Sequence, residues 1–217
     1  MCLKNWYYLS GKMSAGRFIN DRYTVILLSD ESRKLSEFYC SGQSPDEKYG
    51  ILRLPERIQS WESDIAPASK VLLDENIGES LKAYQALSMC QLFGAASRCF
   101  LFIWVMDDEC NIWIAFEEVL PPSGGVISGH PRRRGYPSHP AEEKKLGHPT
   151  LINCKKARAA GELYLDEGDN GEPELIWRVN VGSGRYCREI PPTRTQCEAI
   201  HQRFRMIIGE SVFWDEL

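Results

Sequence analysis

No Cys-x-x-Cys pair, no long apolar run and no excess of positive charge occurs in this chain of 217 residues, and each lack removes a class of function. The eight cysteines (Cys2, Cys40, Cys90, Cys99, Cys110, Cys154, Cys187 and Cys197) are dispersed, mostly within apolar stretches. Without the paired spacing of zinc ribbons and redox motifs, they read as buried thiols. The longest apolar stretch, Cys99 to Met106, falls far short of the roughly 20 residues of a membrane span, so no membrane partner is expected. The first residues lack the basic and apolar regions of a secretory signal, which makes the cytoplasm the expected compartment. A protein passed into a recipient cell by a dedicated machine would look the same. A formal net charge of −4 speaks against a nucleic-acid binder, which normally carries a strongly basic face, and leaves room only for a local basic patch. Histidine is scarce, with 4 residues, and His130, His139 and His148 each precede proline at a nine-residue spacing that fits no familiar zinc pattern. No metal is expected.

What the chain does have is patterned. Its 43% hydrophobic content suffices for one substantial core, and a single domain over residues 1–217 is the expectation. Tyr23 to Leu28 reads as a buried strand followed by a helix from Ser29, and Tyr49 to Leu54 as a short strand stopped by Pro55. Leu81, Tyr84, Leu87 and Cys90 recur every three residues and predict a helix from about Glu79 to Phe93. Phe-, Ile-, Trp- and Val-rich segments flank the polar turn Asp107 to Asn111 and predict a hairpin over 98–119. A second hairpin is predicted over 158–181, turning at Glu167 to Pro173, with Trp177, Val179 and Val181 on its buried face. Thr195 and Glu198 read as a capping box opening a final helix with Cys197, Ile200, Phe204, Ile207 and Ile208 inward. Between the hairpins, residues 121–149 have loop composition, rich in proline, glycine and histidine, with the Arg132 to Arg134 run suited to a phosphate or an acidic partner. The resulting architecture is α+β: a mainly antiparallel sheet from two hairpins, with about three helices packed around it.

The stretch Val179 to Tyr186, VNVGSGRY, poses the sharpest chemical question. Gly182 and Gly184 suggest a backbone free to take positive φ and approach a ligand, beside the Ser183 hydroxyl and the planar cation of Arg185. Pro191 and Pro192 stand where a phosphate-binding loop would start its helix, so this is no nucleotide fingerprint. It reads as a turn anchored in the core by Tyr186. Cys187 stands beside Arg185 and Arg188, whose charges would lower its pKa and make it reactive.

His148 to Leu151, Ala160 to Leu163, Trp177 to Asn180, Ser183 to Tyr186, and Thr195-Gln196 with Ala199 and Phe204 together resemble a C-terminal module of bacterial toxin- or effector-like proteins. If the spacing reflects a shared site, His148, Glu162, Asn180, Ser183, Arg185 and Tyr186 are the polar positions expected to form it, and the first of two readings is a toxin- or effector-like enzyme acting on NAD or a related nucleotide. Glu162, Tyr186 and His148 would then take the catalytic roles, and Asn180, Ser183 and Arg185 would bind the cofactor. Trp6 to Ser10, Tyr23 to Ser29 and the helix ending at Glu37 to Tyr39 are similar to the opening of ADP-ribosyltransferase folds. That strand carries neither the His nor the Arg with which those enzymes hold the dinucleotide, and Glu117, Glu118 and Glu162 are the nearest acids to their Glu-x-Glu pair. The alternative is a non-catalytic protein-binding module, such as an immunity or adaptor protein, with six tryptophans and a basic loop forming its surface. A protein partner, whether inhibitor, chaperone or target, is expected on either reading.

Overall fold

The structure, a computed structural model, describes residues 42–90, 100–120, 130–131, 144–168 and 174–215. The chain divides into two compact units, Met1–Gly42 and Gln43–Leu217, and apart from Gly42 the described residues belong to the second. The strand expected at Tyr23 to Leu28, the helix after it, His139 and the Arg132 to Arg134 run lie outside the described residues. No described helix is long and apolar enough to cross a membrane.

The described elements begin with a short helix α1 (Pro45–Tyr49), whose capping box pairs Ser44 with Glu47. Strand β1 (Val71–Leu72) leads into helix α2 (Glu75–Ser88), capped by the Asp74 side chain. The first hairpin follows as β2 (Phe102–Met106) and β3 (Ile112–Phe116). Short strands β4 (Glu118–Leu120), β5 (His130–Pro131) and β6 (Lys144–Leu146) precede a 3-10 turn over His148–Ile152. The second hairpin is β7 (Ala159–Glu167) with β8 (Leu175–Val179), and helix α3 (Arg194–Ile208) then leads to β9 (Val212–Trp214).

Both hairpins form where alternation predicted them, and β2 joins them by pairing antiparallel with β3 on one side and β7 on the other. The main sheet has the order β1-β3-β2-β7-β8-β9, and β5-β4-β6 make a small second sheet. All pairs are antiparallel except β8 with β9, where Trp177 stands beside Val212. Parallel neighbours need a crossover, and α3 supplies it. The fold is thus an α+β mixture whose sheet is mostly antiparallel with one parallel pair.

Helices α2 and α3 lie against one sheet face. Trp104 meets Phe204 edge to face, and Tyr84 contacts Phe102 and Trp177, a packing mode worth more than area burial alone. Ile200, Phe204 and Ile208 are fully enclosed, as the period of α3 requires. Four expectations need correction. The helix expected from Glu79 starts four residues earlier at Glu75, and Leu87 on it is 59% exposed because a three-residue spacing rotates steadily off the buried face. The capping box of α3 is Thr193 with Gln196, not Thr195 with Glu198. The segment from Tyr49 to Leu54 is no strand: Tyr49 ends α1, and only Arg53 pairs, in a single bridge to Ala157. The stretch 121–149, expected as loop, also contributes β5, β6 and the start of the 3-10 turn.

Candidate functional site

The residues singled out on sequence grounds do come together, but around a residue that sequence reasoning missed. Glu62 is enclosed, with no side-chain exposure, at the end of a turn in which its own N–H donates to the Gln59 carbonyl. Its carboxylate accepts from the N–H of Gln59 (2.7 Å), the N–H of Gly147 (3.2 Å) and both terminal nitrogens of Arg185 (3.2 and 3.3 Å). A side chain at position 147 would meet Glu62 Oε1 at 2.8 Å, so glycine there is what admits the carboxylate. Arg185 also donates to the carbonyl of Arg57. The cation offered by the sequence to a phosphate is therefore held in a bidentate ion pair. No local signal announces it, since Glu62 and Arg185 stand 123 residues apart.

From this pair the contacts run around a closed ring. His148, next to Gly147, is buried and donates from Nε2 to the Gly161 carbonyl at 2.9 Å. Burial pulls its pKa from 6.5 down to about 4, against the opposing effects of the Gly161 carbonyl and the Glu117 charge, so the ring is neutral at ordinary pH. Glu162, beside Gly161, makes two hydrogen bonds with Asn180: its N–H donates to the side-chain Oδ1 (3.1 Å) and its carbonyl accepts from the Asn180 N–H (3.1 Å). The two face each other across the hairpin through the Glu162 backbone and both the backbone and the side chain of Asn180. Trp104 Nε1 donates to both their carbonyls. A Cβ on Gly161 would lie 1.8 Å from the Asn180 carbonyl, so only glycine lets this crossing close.

Asn180 Oδ1 also accepts from Gly182 N–H at 2.9 Å, and the N–H groups of Ser183 and Cys187 bond to the carbonyls of Val181 and Ser183. VNVGSGRY is therefore a tight turn. Neither Gly182 nor Gly184 takes a positive φ, contrary to expectation, because hydrogen bonds to Asn180 and Val181 shape the turn instead. Ser183 is buried and its Oγ accepts from the Arg185 N–H, which brings the ring back to Arg185. Tyr186 is 1% exposed, its hydroxyl donates to the Lys155 carbonyl at 2.9 Å, and burial pushes its phenol far above the usual range. Cys187 corrects another expectation. Burial raises its thiol pKa, the Sγ donates to the Ala160 carbonyl at 3.5 Å, and the cation that partly opposes burial is Arg53, not Arg185 or Arg188.

Glu162 is the half-buried member. Its partner on β2 is Ile103, next to Trp104, so its side chain leaves the sheet on the face opposite α2 and α3. On that face Tyr164 donates to the Asp215 carboxylate. Among the described residues no His, Cys, Asp and Glu side chains converge in a metal-holding group.

A second feature lies beside the ring. Residues 50–58 form a strap fixed at both ends of its middle stretch. Arg53 exchanges both backbone bonds with Ala157 (2.8 and 2.9 Å), and Glu56 N–H donates to the Arg185 carbonyl (2.8 Å). The Glu56 carboxylate then accepts from the Glu189 N–H at 3.1 Å. Exposed apolar side chains occur along the strap and just after Glu189: Ile51 (50%), Leu54 (62%), Ile58 (42%) and Ile190 (55%). Arg57, Lys155, Lys156 and Arg188, close in sequence to Ile58, Ala157 and Glu189, are exposed.

No family model, curated protein or solved structure matches this chain.

Proposed function

We propose that this protein is a non-catalytic protein-binding module, of the immunity or adaptor kind, that engages its partner through the strap. The observation that carries this reading is the exposed apolar set Ile51, Leu54, Ile58 and Ile190 on a backbone already fixed by hydrogen bonds to Ala157 and Arg185. Apolar side chains on a preorganised backbone, rimmed by charge, have the makings of an interface core, because little ordering entropy remains to be lost on binding. The ring supports the same reading from the other side. His148, Asn180, Ser183, Arg185 and Tyr186 direct their polar atoms to the protein's own backbone or to Glu62, whereas a substrate site needs donors aimed outward.

The rival is a toxin- or effector-like enzyme acting on NAD with Glu162 in the central role. One experiment separates the two. A photo-crosslinking residue is placed at position 54, 58 or 190, and at Leu87 on α2 as the control, while the purified chain is assayed for NAD consumption. The binding module gives one discrete adduct from the strap positions and none from position 87. The adduct protein, purified, then binds the chain, and Leu54→Asp abolishes that binding. NAD turnover that disappears in Glu162→Gln would establish the enzyme instead.

A further inference from the structure

The strap has an open edge. Arg53 points its N–H and C=O at Ala157, so in extended chain the N–H and C=O of Leu52 and Leu54 point the other way. Among the described residues these outward groups have no hydrogen-bond partner. Pro55, which lacks an N–H, falls in register with Arg53 and leaves the outward row intact. An exposed row of backbone donors and acceptors is a template for another strand.

Arg53 defines what that strand must carry. Its side chain is half-buried against Gly50, makes one hydrogen bond, 3.4 Å to the Arg158 carbonyl, and has its Nε buried without a partner. Among the described residues it enters no ion pair, although the cations Arg158 and Arg185 both do. On an added antiparallel strand, the residue opposite Arg53 sits in the close, non-hydrogen-bonded pair with its side chain on the same face. The residues on either side of it exchange backbone bonds with Leu52 and Leu54. A second copy of this chain would place Arg53 opposite Arg53, a like-charge contact that costs affinity. An acidic residue flanked by apolar ones satisfies every group.

We infer that Leu52–Leu54 captures an extended apolar-acidic-apolar segment of a different polypeptide as an added β-strand. The inference rests on the strap being the binding surface and names the mode and the chemistry of the partner. Recognition then divides as in other strand-addition sites: backbone bonds supply affinity, and the side chain opposite Arg53 supplies selectivity.

The probe is the blocked heptapeptide Ser-Thr-Val-Asp-Val-Thr-Ser at roughly millimolar concentration, with a twin carrying Lys at its centre, added to the full chain. Amide hydrogen exchange is followed residue by residue. In the free protein Leu52 and Leu54 amides exchange fast, while the Arg53 amide, bonded to Ala157, exchanges slowly. The Asp peptide slows Leu52 and Leu54 by at least about fivefold, the Lys twin does not, and Arg53→Glu reverses the preference. Leu54→Pro removes an outward N–H without touching the Ala157 bridge, so it abolishes the protection in a chain whose thermal unfolding is unchanged; it decides the matter should Arg53→Glu fail to fold. Absence of protection, equal protection by both peptides, or protection that grows with protein concentration alone overturns the inference. If the crosslinked partner still binds Leu54→Pro, the binding module stands and strand addition falls.

Discussion

Glu62, the centre of the ring, lies ten residues or fewer from the edge at Leu52 and Leu54, yet ring and edge treat polar groups in opposite ways. In the ring, an enclosed carboxylate takes four donors from three segments, and its neighbours spend their polar atoms on carbonyls and amides of the same chain. At the edge, among the described residues, the outward backbone groups of Leu52 and Leu54 have no partner, and the half-buried cation of Arg53 makes one hydrogen bond and no ion pair. A buried ionic cluster that is fully partnered is a device of structure, since its desolvation is offset only by those partners. Unpartnered groups on a fixed backbone are a device of recognition. The residue types alone, Ser, Arg, Tyr and His against Leu and Ile, suggest the reverse assignment.

The largest effect that would break this comparison belongs to Glu62. Glu62→Ala leaves the Arg185 cation and the amides of Gln59 and Gly147 facing a void, and breaking a buried pair in this way costs about 3–5 kcal/mol. Urea unfolding at neutral pH measures it, and a loss below about 1 kcal/mol would mean that the ring is not what holds these segments. Next comes His148. Its folded pKa, about 4, lies below the ordinary 6.5, so the folded state favours the neutral ring. That preference contributes fully above pH 6.5 and is lost as pH falls through 6.5 toward 4. A gap of this size corresponds to about 3 kcal/mol. His148→Gln keeps a donor for the Gly161 carbonyl and cannot titrate, so its stability should fall by about 3 kcal/mol less than wild type between neutral pH and about pH 4. Equal slopes for the two proteins would place the acid sensitivity elsewhere.

How much of this was legible in the sequence follows from the range of each signal. The hairpins were, because alternation and turn residues act over neighbouring positions: Phe102 to Met106 and Ala159 to Glu167 form strands as their patterns require. The parallel strand Val212–Trp214 was not, since three residues give no period and their partner Trp177 lies beyond a whole helix. Two threonines, Thr193 and Thr195, each precede Gln or Glu by three residues, and local pattern cannot choose between two capping boxes. The clustering of His148, Glu162, Asn180, Ser183 and Arg185 was legible, but its meaning was not, because the groups that consume their polar atoms, Glu62 above all, are remote in sequence. Arg53 was invisible for the same reason: an unpaired charge is recognisable only once the partners of all its neighbours are known.

A smaller effect sharpens the comparison at Tyr186. Its hydroxyl donates to the Lys155 carbonyl and is almost wholly buried, so Tyr186→Phe removes one hydrogen bond and keeps the packing. The expected cost is about 1 kcal/mol, read from the shift in urea midpoint at constant m-value. Binding of the crosslinked partner should not change, because nothing of this side chain reaches the surface. A variant that unfolds normally yet loses partner binding would tie the ring to recognition and dissolve the division drawn between the two regions.

The smallest expected effect on stability is the most telling for function. Leu54 is 62% exposed, and its outward backbone groups bond to nothing in the described structure. Leu54→Ser therefore removes little buried area and should change stability by no more than about 0.5 kcal/mol. The same substitution takes an apolar side chain from the proposed interface, and for a residue that carries binding the expected cost is more than about 1 kcal/mol. A surface position that matters to neither stability nor binding would be scattered apolar exposure of the ordinary kind. The ratio of the two losses therefore carries the information. Near-zero cost in folding with a clear cost in binding is the signature of a residue kept exposed for a partner, and the opposite ratio would place Leu54 with the ring as a part of the fold.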